Sequence, residues 1–155
     1  MTVPYAREWA AKAEEDYLSA EALLRKRMRP LPNSVCFHAH QCAEKYLKAI
    51  LAEQRQSVPK THDLILVLER LIALDGQYEL LRDALRALNA YAVEIRYPGE
   101  SATVIEARRA VRLMRTIRTF IKERLGVMTR RGFLKGMKVR GLREPLPTPG
   151  LRGPR

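Results

Sequence analysis

A chain of 155 residues, 46% hydrophobic and 30% charged, has the apolar content of one compact domain and leaves little room for a second. No apolar run approaches the roughly 18 residues a membrane-spanning helix needs, and residues 1–16 turn charged before any secretory core forms, which predicts a cytoplasmic protein with no membrane partner. Two cysteines, Cys36 and Cys42, exclude a disulfide scaffold and a four-cysteine zinc site; the net charge of +12, from 29 basic and 17 acidic residues, favours an anionic partner such as nucleic acid, nucleotide or an acidic protein.

Breaks fall at Pro30 and Pro32, Pro59, Gly76 and Pro98-Gly99, and the segments between them are rich in Ala, Leu, Glu, Arg and Lys. The spacing predicts a first helix over 4–29, with Ala6, Trp9, Ala13, Tyr17, Ala20 and Leu24 on one face. A second, over 33–54, aligns Val35, Ala39, Cys42, Ala43, Tyr46, Leu47 and Ile50. A third, over 62–74, turns Leu64, Val67, Leu68 and Leu71 inward, with Thr61 or Asp63 as its cap and His62 near its positive end. The fourth, over 77–96, carries Tyr78, Leu81, Leu85, Leu88, Ala92 and Ile95; the fifth, over 101–125, carries Val104, Ala107, Val111, Met114, Ile117, Ile121 and Leu125. Beyond Leu125 the periodicity fails among glycines and prolines, and 127–155 holds eight basic residues against one acid. No segment alternates as a strand would, and short connections favour antiparallel neighbours. The fold class is therefore all-α: an up-and-down antiparallel bundle of about five helices over 1–126, followed by a flexible basic tail over 127–155.

The stretch 33–45 is the most unusual. At about 100° per residue, His38, Gln41, Lys45 and Lys48 form a polar stripe beside the apolar face, with His40 and Glu44 further round. The stripe reads either as an edge that binds an anion or as a solvated flank. His38 and His40, two apart, diverge on a helix, which disfavours a metal site, and Cys36 and Cys42 lie too far apart to bond within it. On the fourth helix Arg82, Arg86, Asn89 and Arg96 recur at helical spacing. Arg96, followed by Tyr97-Pro98 at the helix end, suits bidentate binding of a phosphate beside an aromatic ring; it suits equally a helix cap or a pair with Asp16. Arg108, Arg112, Arg115 and Lys122 make a further basic ridge. There is no phosphate-binding glycine loop, dinucleotide fingerprint, acidic magnesium motif or nucleophile elbow, so no cofactor and no metal is expected, and no residue is assigned to catalysis.

Three blocks, Cys36-Phe37-His38-Ala39-His40-Gln41-Cys42-Ala43-Glu44-Lys45-Tyr46-Leu47-Lys48-Ala49, Pro59-Lys60-Thr61-His62-Asp63-Leu64 and Arg96-Tyr97-Pro98, resemble in order and spacing the HEPN domain proteins of bacteria and archaea, over roughly residues 5–125. The resemblance implies a helical bundle that forms a homodimer, association with a nucleotide or RNA, and pairing with a minimal nucleotidyltransferase, often as a toxin–antitoxin module. Many of these proteins cleave RNA without metal through an Arg followed four to six residues later by His. Here Arg96 is followed by no histidine; the three histidines, His38, His40 and His62, all lie upstream. The resulting expectation is a HEPN-type protein binding a nucleotide, RNA or nucleotidyltransferase through Arg96 and Tyr97, with His38, Gln41, Lys45, Lys48, His62 and Asn89 contributing. The alternatives are a ribonuclease toxin using a displaced histidine, His62 or His38, and a non-catalytic protein-interaction module.

Overall fold

The computed structural model describes the backbone of residues 3–94 and 97–139. Prolines open the first two helices, α1 (Pro4–Arg25) and α2 (Pro32–Glu53), in the first turn, where a missing N–H costs nothing. α1 stops short of its expected end: Lys26 is already extended, at φ −69° and ψ 109°, and Arg29 adopts a left-handed φ of 50° ahead of Pro30 and Pro32. Of the two expected caps for α3 (Leu64–Leu74), Asp63 takes the role, its Oδ1 accepting the Ile65 N–H at 2.9 Å. The expected fourth helix is divided. A short 3-10 segment, Gly76–Leu81, is capped by Asp75 and leads into α4 (Arg82–Glu94). α5 (Val104–Val139) starts with a reciprocal cap: Thr103 Oγ1 accepts the Glu106 N–H at 3.1 Å and Glu106 Oε2 accepts the Thr103 N–H at 2.7 Å.

α5 also corrects the sequence reading, because its backbone stays helical through residues 127–139, where an irregular tail was expected. That stretch contains Gly132 and Gly136 but no proline. A glycine costs a helix only about 1 kcal/mol, against about 3 for proline, so nothing in it enforces a stop. The rest of the expected tail, residues 140–155, lies outside the described residues, as does Ile95.

α2 is the centre of the bundle. Fourteen of its 22 residues are buried, which a helix achieves only with neighbours on several sides, and α1, α3, α4 and α5 all pack on it. Named contacts fix the directions. Val3 N–H donates to Glu53 Oε2 at 3.1 Å while His38 and Lys45 reach Asp16, so α1 and α2 are antiparallel. Asn33 Oδ1 accepts the Ala102 N–H at 2.7 Å, and Tyr46 and Arg118 share Glu14 further along, so α5 runs parallel to α2. Arg124 at 2.8 Å from Asp75 sets the α5 chain antiparallel to α4.

The core between them holds Leu47, Ile50, Leu51, Leu68, Leu71, Leu85, Leu88, Met114, Ile117 and Ile121, each fully buried. Each such side chain contributes about 1.5–3 kcal/mol on leaving water. Among the described residues the expected apolar faces are the ones that pack here, apart from Val104, which the first turn of α5 leaves exposed. Among the described residues there is no strand, and no helix is long and apolar enough to cross a membrane.

Candidate polar site along the central helix

The stripe on α2 divides into two separate clusters, and each is organised by a carboxylate. On the α1 side, His38 Nδ1 lies 2.8 Å from Asp16 Oδ1, and Lys45 Nζ donates to Asp16 Oδ2 at 2.5 Å. Asp16 is thus engaged by His38 and Lys45. Arg96, the partner weighed for it from sequence, lies outside the described residues.

The second cluster centres on Glu44, 3% exposed. Lys48 Nζ donates to Glu44 Oε1 at 2.7 Å and to the Thr61 carbonyl at 2.8 Å, and lies 5.4 Å from the centre of the Trp9 ring. His62 Nδ1 lies 3.0 Å from Glu44 Oε2, and Gln41 Nε2 donates to the same oxygen at 3.3 Å. Buried charges survive only when paired and hydrogen-bonded, and Glu44 and Lys48 satisfy that condition together. The His62 side chain, by contrast, is 68% exposed. An Nδ1–H that donates to Glu44 leaves the rest of this imidazole available to a ligand, with its orientation fixed from below.

Asn89 on α4 ties the cluster to α3. Its Oδ1 accepts the Leu64 N–H at 3.1 Å, its Nδ2 donates to Asp63 Oδ1 at 3.1 Å, and His40 Nε2 lies 3.4 Å from the same Oδ1 of Asn89. The loop carrying His62 is therefore held at Thr61 by α2 and at Asp63 and Leu64 by α4. Asn89 is a positioning group, partly shielded between helices.

The other sequence candidates are distributed differently. Tyr97 is exposed in the turn after α4. Arg82 pairs with Glu69 at 2.6 Å and Glu79 at 2.5 Å, and Arg115 grips Glu21 through two nitrogens at 2.5 and 2.7 Å. Arg118 pairs with Glu14, which also accepts from the Tyr46 hydroxyl. These guanidinium groups hold Glu14 and Glu21 below the usual carboxylate range, Arg118 for the first and Arg115 for the second. Burial pushes the Cys36 thiol up to about 11 and the Cys42 thiol higher still, as core positions require. Among the described residues no three potential ligands gather as a metal site would need.

Sequence reasoning placed Glu44 off the stripe and did not assign Asp16 to it, yet these two acids are its organisers. The available signal was spacing: Glu44 precedes Lys48 by four, the favourable order for a helical ion pair.

An all-α bundle whose central helix carries a buried Glu–Lys pair beneath an exposed, carboxylate-held imidazole defines a small helical domain with a polar site at the α2–α3–α4 junction. The model of the HEPN domain matches residues 6–125, and the chain belongs to the HEPN domain family. The fold is similar to the crystal structure of TT1696 from Thermus thermophilus, at 28% sequence identity and a TM-score of 0.63, covering 78% of this chain and 98% of that one. No curated protein matches the chain.

Proposed function

We propose that this HEPN-domain protein forms a homodimer, associates with a nucleotide or RNA, and partners a minimal nucleotidyltransferase in a toxin–antitoxin-like pair. The observation that carries the ligand part is the Glu44–His62 pair: a buried carboxylate orients an imidazole that is 68% exposed on a protein of net charge +12. With Nδ1–H given to Glu44, Nε2 of this ring can accept from a ribose hydroxyl or, as imidazolium, donate to a phosphate oxygen, and exposed Tyr97 offers a ring on which a base can stack. Lys45 and Lys48 support it indirectly, since their charges are already engaged by Asp16 and Glu44.

Fluorescence anisotropy of labelled short RNA and of ATP against wild type and His62→Ala tests the reading. Loss of about 1.5 kcal/mol, near tenfold in affinity, is expected for one charge-assisted hydrogen bond. Equal affinities for every ligand would remove His62 from the site. The same pair favours one further reading, a metal-independent ribonuclease in which His62 Nε2 takes the proton of the 2′-hydroxyl as its oxygen bonds to phosphorus, while the P–O5′ bond breaks and the 5′-oxygen takes a proton from water. Cleavage of end-labelled RNA in EDTA, lost in His62→Ala, would support it; intact RNA would refute it.

A further inference from the structure

The end of the bundle where α1 turns into α2 also holds the entrance to α5, because Asn33 at the start of α2 binds the backbone N–H of Ala102. Large apolar side chains are exposed there from three elements. Met28, 81% exposed, and Leu31 lie in the connecting turn, Phe37 on α2, and Ile105, 75% exposed, on the first turn of α5. Basic groups stand among them. Residues 25–31 carry Arg25, Lys26, Arg27 and Arg29 with no acid, and Arg108, Arg109 and Arg112 follow on α5. Arg27, Arg29, Arg108, Arg109 and Arg112 are exposed and form no ion pair among the described residues. The acids nearby are largely occupied: Glu21 by Arg115 and Glu106 by the Thr103 cap. Glu100 remains exposed. Arg29 adopts a left-handed φ of 50°, a conformation disfavoured for a residue with a side chain, and it does so in the middle of this basic turn.

We propose that this end is a docking surface for an acidic segment of a partner protein that carries aliphatic side chains between its carboxylates. It is where the partner proposed above would sit, so the inference rests on that reading. Charge complementarity selects the occupant. A second copy would bring unpaired guanidinium groups against unpaired guanidinium groups. Nucleic acid would satisfy the charge, but of the four apolar side chains only Phe37 has a flat face for a base to stack on, and Met28, Leu31 and Ile105 have none. An anionic membrane is the weaker match, because the apolar residues come from three elements with arginines between them and do not form one helical face.

The probe is a short fluorescent peptide alternating Glu or Asp with Leu, alongside a version with every Leu replaced by Ser. Anisotropy is read with the full chain and with three variants, Arg27→Glu/Arg29→Glu, Arg29→Gly and Met28→Ser/Ile105→Ser, all at exposed positions and checked for fold by circular dichroism. Binding of the Leu peptide is expected to weaken by about tenfold or more in the charge-reversed variant. A smaller loss is expected in Arg29→Gly, which suits the left-handed backbone and removes a single basic side chain. The apolar variant should lose the preference for Leu over Ser. Equal binding of the two peptides by wild type, or equal affinity across the variants, would overturn the proposal. So would poly(U) or phosphatidylserine vesicles binding more tightly than the peptide with the same variant sensitivity, or a change in sedimenting mass caused by the variants alone. Co-purification of a co-expressed nucleotidyltransferase with wild type, read separately, distinguishes failure of this surface from failure of the partner reading.

Discussion

Replacing Glu44 by Gln removes one charge from a pair that is almost wholly buried, with side chains 3% and 5% exposed, and leaves Lys48 without its counter-ion. Breaking such a pair from one side costs about 3–5 kcal/mol, because the remaining charge stays desolvated. Lys48 keeps the Thr61 carbonyl at 2.8 Å and the Trp9 ring, and the Gln carbonyl still accepts from it. Crediting about 1 kcal/mol for that retained bond brings the expected loss to about 2–4 kcal/mol. Adding Lys48→Met removes the stranded charge as well. The double variant is expected to recover at least half of the loss, since with both charges gone no unpaired charge stays desolvated. Urea unfolding followed by circular dichroism at pH 7 measures all four corners of the cycle, provided the denaturant slope stays constant. A Glu44→Gln protein within about 0.5 kcal/mol of wild type, or single-variant losses that simply add, would show that the pair is not desolvated and would refute the reasoning.

The ion pairs between α1 and α5 set an acid response. Arg118 and Arg115 lower the folded-state values of Glu14 and Glu21, so their stabilisation is present above the unfolded glutamate value of about 4.3 and is lost as pH falls through the lower folded values. Melting temperature should therefore drop on acidification below that range, and Glu14→Gln/Glu21→Gln should flatten the drop; an unchanged acid limb would count against the pairs. Both thiols are buried and pushed up, Cys36 to about 11, so the folded protein should not react with Ellman's reagent at pH 8, while urea should release two reactive thiols. Fast modification without denaturant would place one of them outside the core.

Apolar positions were the legible part of this fold. Leu64, Val67, Leu68 and Leu71 on α3, and the whole Val35-to-Ile50 face of α2, pack where their three-or-four spacing put them, because burial of hydrocarbon is periodic along a helix. Polar positions were not, since a charged side chain reads the same whether its partner is water or a carboxylate on another helix. Asp16 finds His38 and Lys45 across 22 and 29 residues of sequence, separations that no local pattern encodes. Asn89 looked like one of a row of polar residues on α4. Its value lies in reaching two backbone and side-chain groups at the start of α3, a relation created only when the helices pack. The continuation of the α5 backbone past Leu125 was hidden for another reason: amphipathic periodicity is the sequence signal of a helix, and that signal fails there although no proline forces the backbone out of the helix before Val139.

The placement of α2 at the centre also orders the steps by which the chain assembles. Its contacts with α1 join residues from 22 apart, as Asp16 with His38, to 50 apart, as Val3 with Glu53, so this hairpin can close soon after both helices are made. The clasps between α1 and α5, Glu21 with Arg115 and Glu14 with Arg118, join residues 94 and 104 apart. Until Ala107 through Ile121 arrive, the flank of α2 that α5 covers stays wet, even with α1, α3 and α4 packed on its other sides. Docking of α5 is thus the event that covers the last open flank of α2. During that interval the nascent chain is most exposed to chaperones, to proteases and to copies of itself.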